Sequence, residues 1–202
     1  MKITERLIKW AEDKGACKKG INQAKRMIGR DVHDLNPEYR IWAMLNHPDC
    51  PINLEGLTFS ERAWMMAEQP RCPINLEGLT PYQRTEVMIQ REDCPINLEG
   101  LSSRDCVWVM VKRPDCPIDL TGLASHERAW VMGDRKDCPI DLTGFASHER
   151  AWVMVKRPDC PIDLTGLHRC DRAWVMACRR DCPIDLEGLT TGERDWVMIK
   201  RT

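Results

Sequence analysis

The sequence predicts an all-α protein, an α-solenoid of about seven to eight 22-residue repeats behind an N-terminal helical cap. Three observations predict it. Residues 115–158 read DCPIDLTGLASHERAWVMGDRK and then DCPIDLTGFASHERAWVMVKRP, identical at 18 of 22 positions. Tryptophan keeps the same period at Trp42, Trp64, Trp108, Trp130, Trp152, Trp174 and Trp196, with Glu86 in the one place that breaks it, and methionine keeps it from Met44 to Met198 without a gap. The block Cys-Pro-Ile-Asn/Asp-Leu-x-Gly occurs seven times. A period of about 20–50 residues marks arrays in which each unit buries its core only against its neighbours.

Residues 1–35 read as the cap and residues 36–202 as the array. The cap is basic. Residues 1–30 hold nine Lys or Arg against three Asp or Glu, so with a total charge of −1 the remainder is negative by seven. Such a segment fits a solvated helical start, and it can also touch nucleic acid or an acidic protein surface. The opening MKITERLIKWAEDKG lacks the apolar middle of a secretory leader, which predicts a cytoplasmic protein. No apolar run approaches the length of a membrane span.

Each repeat is predicted to hold one α-helix and one shorter turn of helix. Thr58–Glu61, Thr80–Gln83 and Thr190–Glu193 form capping boxes, and Ser102–Asp105 forms a weaker one. Pro37 and Pro81 fall at first helical positions, where the missing N–H is harmless. The helix runs through ERAWVMVK and stops before Pro70, Pro114 or Pro158. Cys-Pro-Ile-Asn/Asp-Leu then reads as a proline-started turn of helix, ended by the glycine column Gly56 to Gly188. A rival reading makes AWVMV a buried strand of a leucine-rich-repeat horseshoe. That pattern needs an Asn or Cys closely after the strand, in an alternating leucine frame, and it is missing.

Eleven cysteines would suit a secreted disulfide scaffold, but seven of them, Cys50 to Cys182, lie 22 residues apart. Stacked helices sit about 8–10 Å apart, whereas a disulfide wants Cα atoms about 4.4–6.8 Å apart. The column is therefore predicted to be reduced, small and buried.

The phrase R-A-W-V-M-V-K-R-P-D-C-P-I-D-L-T-G-L resembles the units of the leucine-rich repeat variant family, over about residues 37–202. The resemblance implies a right-handed solenoid in which α and 3₁₀ helices alternate. The unit here is shorter than that family's usual one. The family's cysteine-ligated iron–sulfur domain is not implied, since only Cys17 precedes Cys50.

No catalytic residue, metal site or cofactor is predicted. His126, His148 and Cys170 share one column, yet they fall one per repeat, too far apart to share a metal. The Glu61, Glu127, Glu149 and Glu193 column reads as capping, and the Arg62, Arg128, Arg150 and Arg194 column as bracing between units, from an inner side where it can bond loop carbonyls or the Asn/Asp column. Catalysis needs one unlike constellation in a cleft, whereas a ladder repeats its parts. The chain carries no phosphate-binding glycine loop, nucleophile elbow or metalloprotease motif.

Helical geometry points to a binding face instead. At about 100° per residue, the Ala and Val beside each tryptophan face the neighbouring repeats, and the methionine two further on faces the other layer. The tryptophan is left pointing away. The positions four before and four after it flank it and vary most. The predicted partner-binding set is Trp64, Tyr82, Arg104, Trp108, Lys112, His126, Trp130, Asp134, His148, Trp152, Lys156 and Trp174. Trp, Tyr and Arg dominate interface hot spots.

The function expected is a non-catalytic scaffold, an adaptor or inhibitor, that grips a protein partner along this face. The alternative is nucleic-acid binding by helical repeats, with Trp and Arg stacking bases and the basic start holding phosphates. The negative charge of residues 31–202 opposes that alternative. The last repeat lacks a polar closing unit, so self-association through that end is a further expectation.

Overall fold

A computed structural model describes residues 1–202. The protein is all-α, with ten α-helices, one 3₁₀ turn and no strands beyond a single bridge between Lys2 and Asp31. No helix is long and apolar enough to cross a membrane. The helices are α1 (Glu5–Asp13), α2 (Lys18–Arg26), α3 (Pro37–Asn46), α4 (Phe59–Glu68), α5 (Pro81–Gln90), α6 (Ser103–Lys112), α7 (Ser125–Asp134), α8 (Ser147–Lys156), α9 (Arg169–Cys178) and α10 (Thr191–Arg201). From α3 onward each begins 22 residues after the last, which is the α-solenoid array the repeats predict. Two compact units divide the chain, Met1–Asn97 and Leu98–Thr202.

In the first unit, α1 and α2 pack together ahead of α3, α4 and α5. Their ends are tied by backbone bonds from Ile3 N–H to Arg30 O, 2.8 Å, and from Val32 N–H to Met1 O, 2.8 Å. The 3₁₀ turn Val32–Asp34 leads into α3, started by Pro37. In the second unit α6 to α10 follow one another, each against its neighbour in sequence.

The helix starts are those the sequence indicates. Thr58, Thr80 and Thr190 each accept from the N–H three residues on, and Glu61, Gln83 and Glu193 reach back to the cap N–H. Ser102 accepts from Asp105 N–H. Where alanine replaces the hydroxyl, Glu127 and Glu149 keep the return arm, accepting from Ala124 and Ala146 N–H at 2.9 and 2.8 Å.

The layers follow the columns. Met44, Met66, Met88, Met110, Met132, Met154 and Met176 are buried, as are the residues flanking the tryptophans, such as Ala151 and Val153. The cysteine column is buried too, and its thiols lie against the carbonyl of the next proline, 3.8 Å for Cys50 and 3.6 Å for Cys138. Burial pushes these thiols above their ordinary pKa. In α10 the pattern stops: Met198 is 48% exposed and Ile199 71%.

Three expectations are corrected. The Cys-Pro-Ile-Asn/Asp-Leu segment forms no helix, short or otherwise, and the 3₁₀ half implied by the resemblance is absent from the repeats. Its polar groups are claimed elsewhere. The residue before proline is steered to extended geometry. The Asn53 and Asp163 carboxamide and carboxylate accept from the N–H two residues on, 2.8 and 2.9 Å. The Asn53 N–H itself lies on Met44 Sδ at 3.4 Å. Second, the glycine column ends a tight turn, not a helix: Leu57 N–H bonds Leu54 O at 3.2 Å, with Gly56 at φ +70° in between.

Third, the arginines two before each tryptophan do reach loop carbonyls and the Asn/Asp column, as expected, but they do so without bracing successive helices. Arg150 and Arg172 hold the loop that follows their own helix, through Asp163 at 3.2 Å and Asp185 at 2.9 Å. Arg62 lies over the Phe59 ring at 4.5 Å and Arg128 over Phe145 at 5.1 Å, while Arg194 bonds Leu189 O at 3.1 Å. Bracing falls to a different column, just past each helix end. Arg157 is buried and donates to Met132 O (3.0 Å), Arg135 O (2.7 Å) and Cys138 O (3.1 Å), all in the preceding repeat. Arg91 does the same to Met66, Gln69 and Cys72 in the first unit, at 2.7, 2.8 and 3.2 Å. A helix leaves its last carbonyls without internal partners. Here the next repeat's guanidinium satisfies them, and an aspartate two residues on (Asp93, Asp159) holds its other edge.

Candidate functional site

From Trp42 to Trp174 the tryptophans stand where the helical wheel places them, at the surface between buried neighbours, whereas Trp196 follows the exposed Asp195. Trp42 is the exception in its surroundings, since α1 covers it: Trp10 lies 5.5 Å away in a tilted ring contact and turns its edge to His47 at 4.5 Å. In the first unit Trp64 on α4 is 50% exposed and Tyr82 on α5 is 65% exposed. Phe59 is exposed on the same helix as Trp64, and its ring lies on Gly78, where an added Cβ would come within 2.4 Å.

The second unit carries the denser arrangement. Trp108 is 37% exposed, whereas Trp130, Trp152 and Trp174 are half-buried. The indoles pair as Trp108 with Trp130, edge-on at 6.2 Å, and Trp152 with Trp174, tilted at 6.2 Å. Between the pairs runs an open groove. Trp130, Trp152, Trp174 and Ala129 line it, with His126, His148 and Glu149 toward the helix starts and Asp134 and Lys156 toward the helix ends. The structure thus brings seven of the predicted site residues round one groove. Arg104 and Lys112 are exposed on α6 outside its lining, and Trp64 and Tyr82 belong to the other unit.

Asp134, Lys156 and Glu149 in the groove are already tethered. Asp134 accepts from the Trp130 indole N–H at 2.7 Å and pairs with Lys156 at 3.8 Å. The Lys156 ammonium also lies 4.8 Å from the centre of the Trp152 ring, a cation–π contact. At the other end Glu149 is buried and accepts from the Ser125 hydroxyl at 2.7 Å. Burial works against its charge, but the bonds from Ser125 and Ala146 and the nearby His148 and His126 outweigh it and leave its pKa lowered.

Sequence reasoning missed two contributors. Gly133 stands on α7 in a column otherwise filled by Ala, Leu, Ile or Val, and a Cβ there would come within 2.8 Å of the Trp152 indole nitrogen. Its missing side chain lets Trp152 lean onto α7. Glu149 was legible only as a cap, although the Ser125 hydroxyl of the preceding helix also holds it. The signal for Gly133 was its break from the column.

His126, His148 and Cys170 lie on successive helices, and no group of three or more His, Cys, Asp or Glu is placed to hold a metal. The His168 ring nitrogen lies 3.0 Å from Cys170 Sγ on an exposed surface. Comparison with protein-family models, with curated proteins and with solved structures returns no match.

Proposed function

We propose that this protein is a non-catalytic cytoplasmic scaffold, an adaptor or inhibitor akin to leucine-rich repeat variant solenoids, that binds a protein partner along its tryptophan-lined face. One observation carries the reading. The second unit interrupts its own row of paired indoles with a groove whose walls are aromatic and whose rims are charged. A wall of half-buried indoles, with Asp134, Lys156 and Glu149 tethered beside it, is low in conformational freedom, which suits hot-spot recognition.

The likeness to the family rests on the R-A-W-V-M-V-K-R-P-D-C-P phrase and its regular spacing, and the non-helical return segment sets this chain apart. Trp64 and Tyr82 extend the same kind of surface in the first unit. The exposed Met198 and Ile199 support self-association through α10. Ile199→Glu is expected to remove concentration dependence from the light-scattering mass.

The test of the partner is affinity capture with the whole chain, nuclease-treated and untreated, beside Trp130→Ala and Trp152→Ala variants. A protein retained through nuclease treatment and lost with either variant supports the proposal. Species that vanish with nuclease instead point to base stacking on the indoles. Retention unchanged by both variants removes the groove from the binding surface.

A further inference from the structure

The first unit contains a cavity that its own fold does not fill. It lies among α1, α2, the 3₁₀ turn and α3, and its volume is about 200 Å³. Protein interiors rarely keep voids much larger than a water molecule. An apolar cavity of about 150 Å³ is already large enough to admit benzene. Ile3, Ile8, Ile21 and Val32 are buried around it, while Leu7, Leu35 and Ala24, which also line it, stay partly exposed. The hollow therefore opens outward, and its apolar lining meets solvent.

Small residues create the space. Ala11, Ala16, Ala24 and Ala43 line it, as does Gly20, against which the Tyr39 ring sits so closely that a Cβ would lie 2.9 Å from it. The larger lining residues are flat: Trp10, Tyr39 and Trp42. Trp10 and Trp42 hold each other in a ring contact, so these walls are braced. Glu38 is the one charged residue in the lining.

From this we propose that the N-terminal cavity is a binding site for a small, uncharged aromatic molecule of one or two fused rings. The volume sets the size, and the aromatic walls favour a flat ring stacked or edge-on. The apolar lining excludes a charged body, which could not recover its hydration inside. An anion meets Glu38 as well. A ring N–H, as in indole, has the Glu38 carboxylate as an acceptor at the rim. A ligand this small binds in the micromolar-to-millimolar range. The site is separate from the groove of the second unit and does not depend on the function proposed for it.

Indole is the probe. The whole chain, labelled with ¹⁵N, is titrated with indole while the eight tryptophan side-chain N–H signals are followed. The signals of Trp10 and Trp42 are expected to shift and saturate while the other six stay in place. Ala11→Leu and Ala24→Met, which fill the hollow from two different helices, are each expected to weaken binding at least about tenfold and to raise the Tm. Indole-3-carboxylate is expected to bind at least about tenfold more weakly than indole. Three results would overturn the proposal: Trp10 and Trp42 unmoved at the solubility limit of indole, all eight signals moving alike, or both filled variants folded and binding as the parent does. Equal binding of the carboxylate would overturn the requirement for an uncharged ligand.

Discussion

Arg157 reaches back 25 residues and donates from Nη1 to the carbonyl oxygen of Met132 at 3.0 Å. The same nitrogen bonds Arg135 O and Cys138 O, and Asp159 takes the other edge of the guanidinium at 2.6–2.8 Å. One side chain thus closes the end of the preceding helix and the start of its return loop. Replacing Arg157 with alanine leaves these carbonyls buried without a donor. The expected cost is about 3–5 kcal/mol. Lysine keeps the charge but lacks the planar fork, so Arg157→Lys is expected to recover only part of it. Guanidinium denaturation followed by circular dichroism measures both, and a loss below about 1 kcal/mol for alanine would show that water replaces the guanidinium.

The partner aspartates predict an acid limb. Bonds from Arg157 and Arg179 hold the pKa values of Asp159 and Asp181 at about 2, below the ordinary 3.8. A carboxylate whose folded value is depressed favours folding above its unfolded value and loses that contribution as pH falls through the folded one. The Tm is therefore expected to fall between about pH 4 and pH 2. The double variant Asp159→Asn/Asp181→Asn should start lower at pH 6 and fall less over that window. An unchanged slope in the double variant would assign the acid limb to other carboxylates.

Thr85 occupies a buried position on α5 equivalent to Ala63 on α4, and its hydroxyl has no hydrogen-bond partner. Valine matches its shape without the desolvated hydroxyl. Thr85→Val is expected to stabilise the protein by about 1 kcal/mol in the same denaturation experiment. A fall in stability would mean that the hydroxyl is satisfied in solution.

Gly133→Val puts into α7 the side chain that Val155 supplies in α8. The added Cβ forces Trp152 off α7, because the indole nitrogen lies within 2.8 Å of its place. The fold is expected to survive, since the neighbouring repeat tolerates valine in that column. The near-ultraviolet circular dichroism of the tryptophans should change and partner capture should drop. Capture equal to the parent's would place the contact elsewhere.

Tryptophan emission tests the face itself. With Trp64 at 50% and Trp108 at 37% exposure, the emission should be red-shifted and readily quenched by acrylamide, and Trp64→Phe should remove part of the quenchable fraction. Blue-shifted emission that acrylamide barely touches would contradict an exposed face.

Much of this was legible in the chain. Thr58 and Glu61 mark a helix start with local chemistry, and the bonds they form span three residues. The methionine and cysteine columns declared their burial through strict spacing, because stacked units tolerate no change where they touch. The groove was legible only in part. Trp130, Asp134, Trp152 and Lys156 could be named from the helical wheel, yet nothing in a wheel says that indoles pair as 108–130 and 152–174 and leave a gap between.

By itself, the sequence determined the number of units, the place of each helix and the columns that go inside. These follow from contacts within a few residues and from a period that every unit shares. Tertiary structure alone decided what happens between the helices. Cys-Pro-Ile-Asn/Asp-Leu has the composition of a helical turn, yet it forms none, and the carbonyls at and just before its start, such as Cys116 and Pro114, are taken by Arg135 from the next repeat. The donor and its acceptors are about one repeat apart in the chain, with separations of 19–25 residues. Local propensity does not see a partner at that distance, and a buried guanidinium with several carbonyls to satisfy outweighs it.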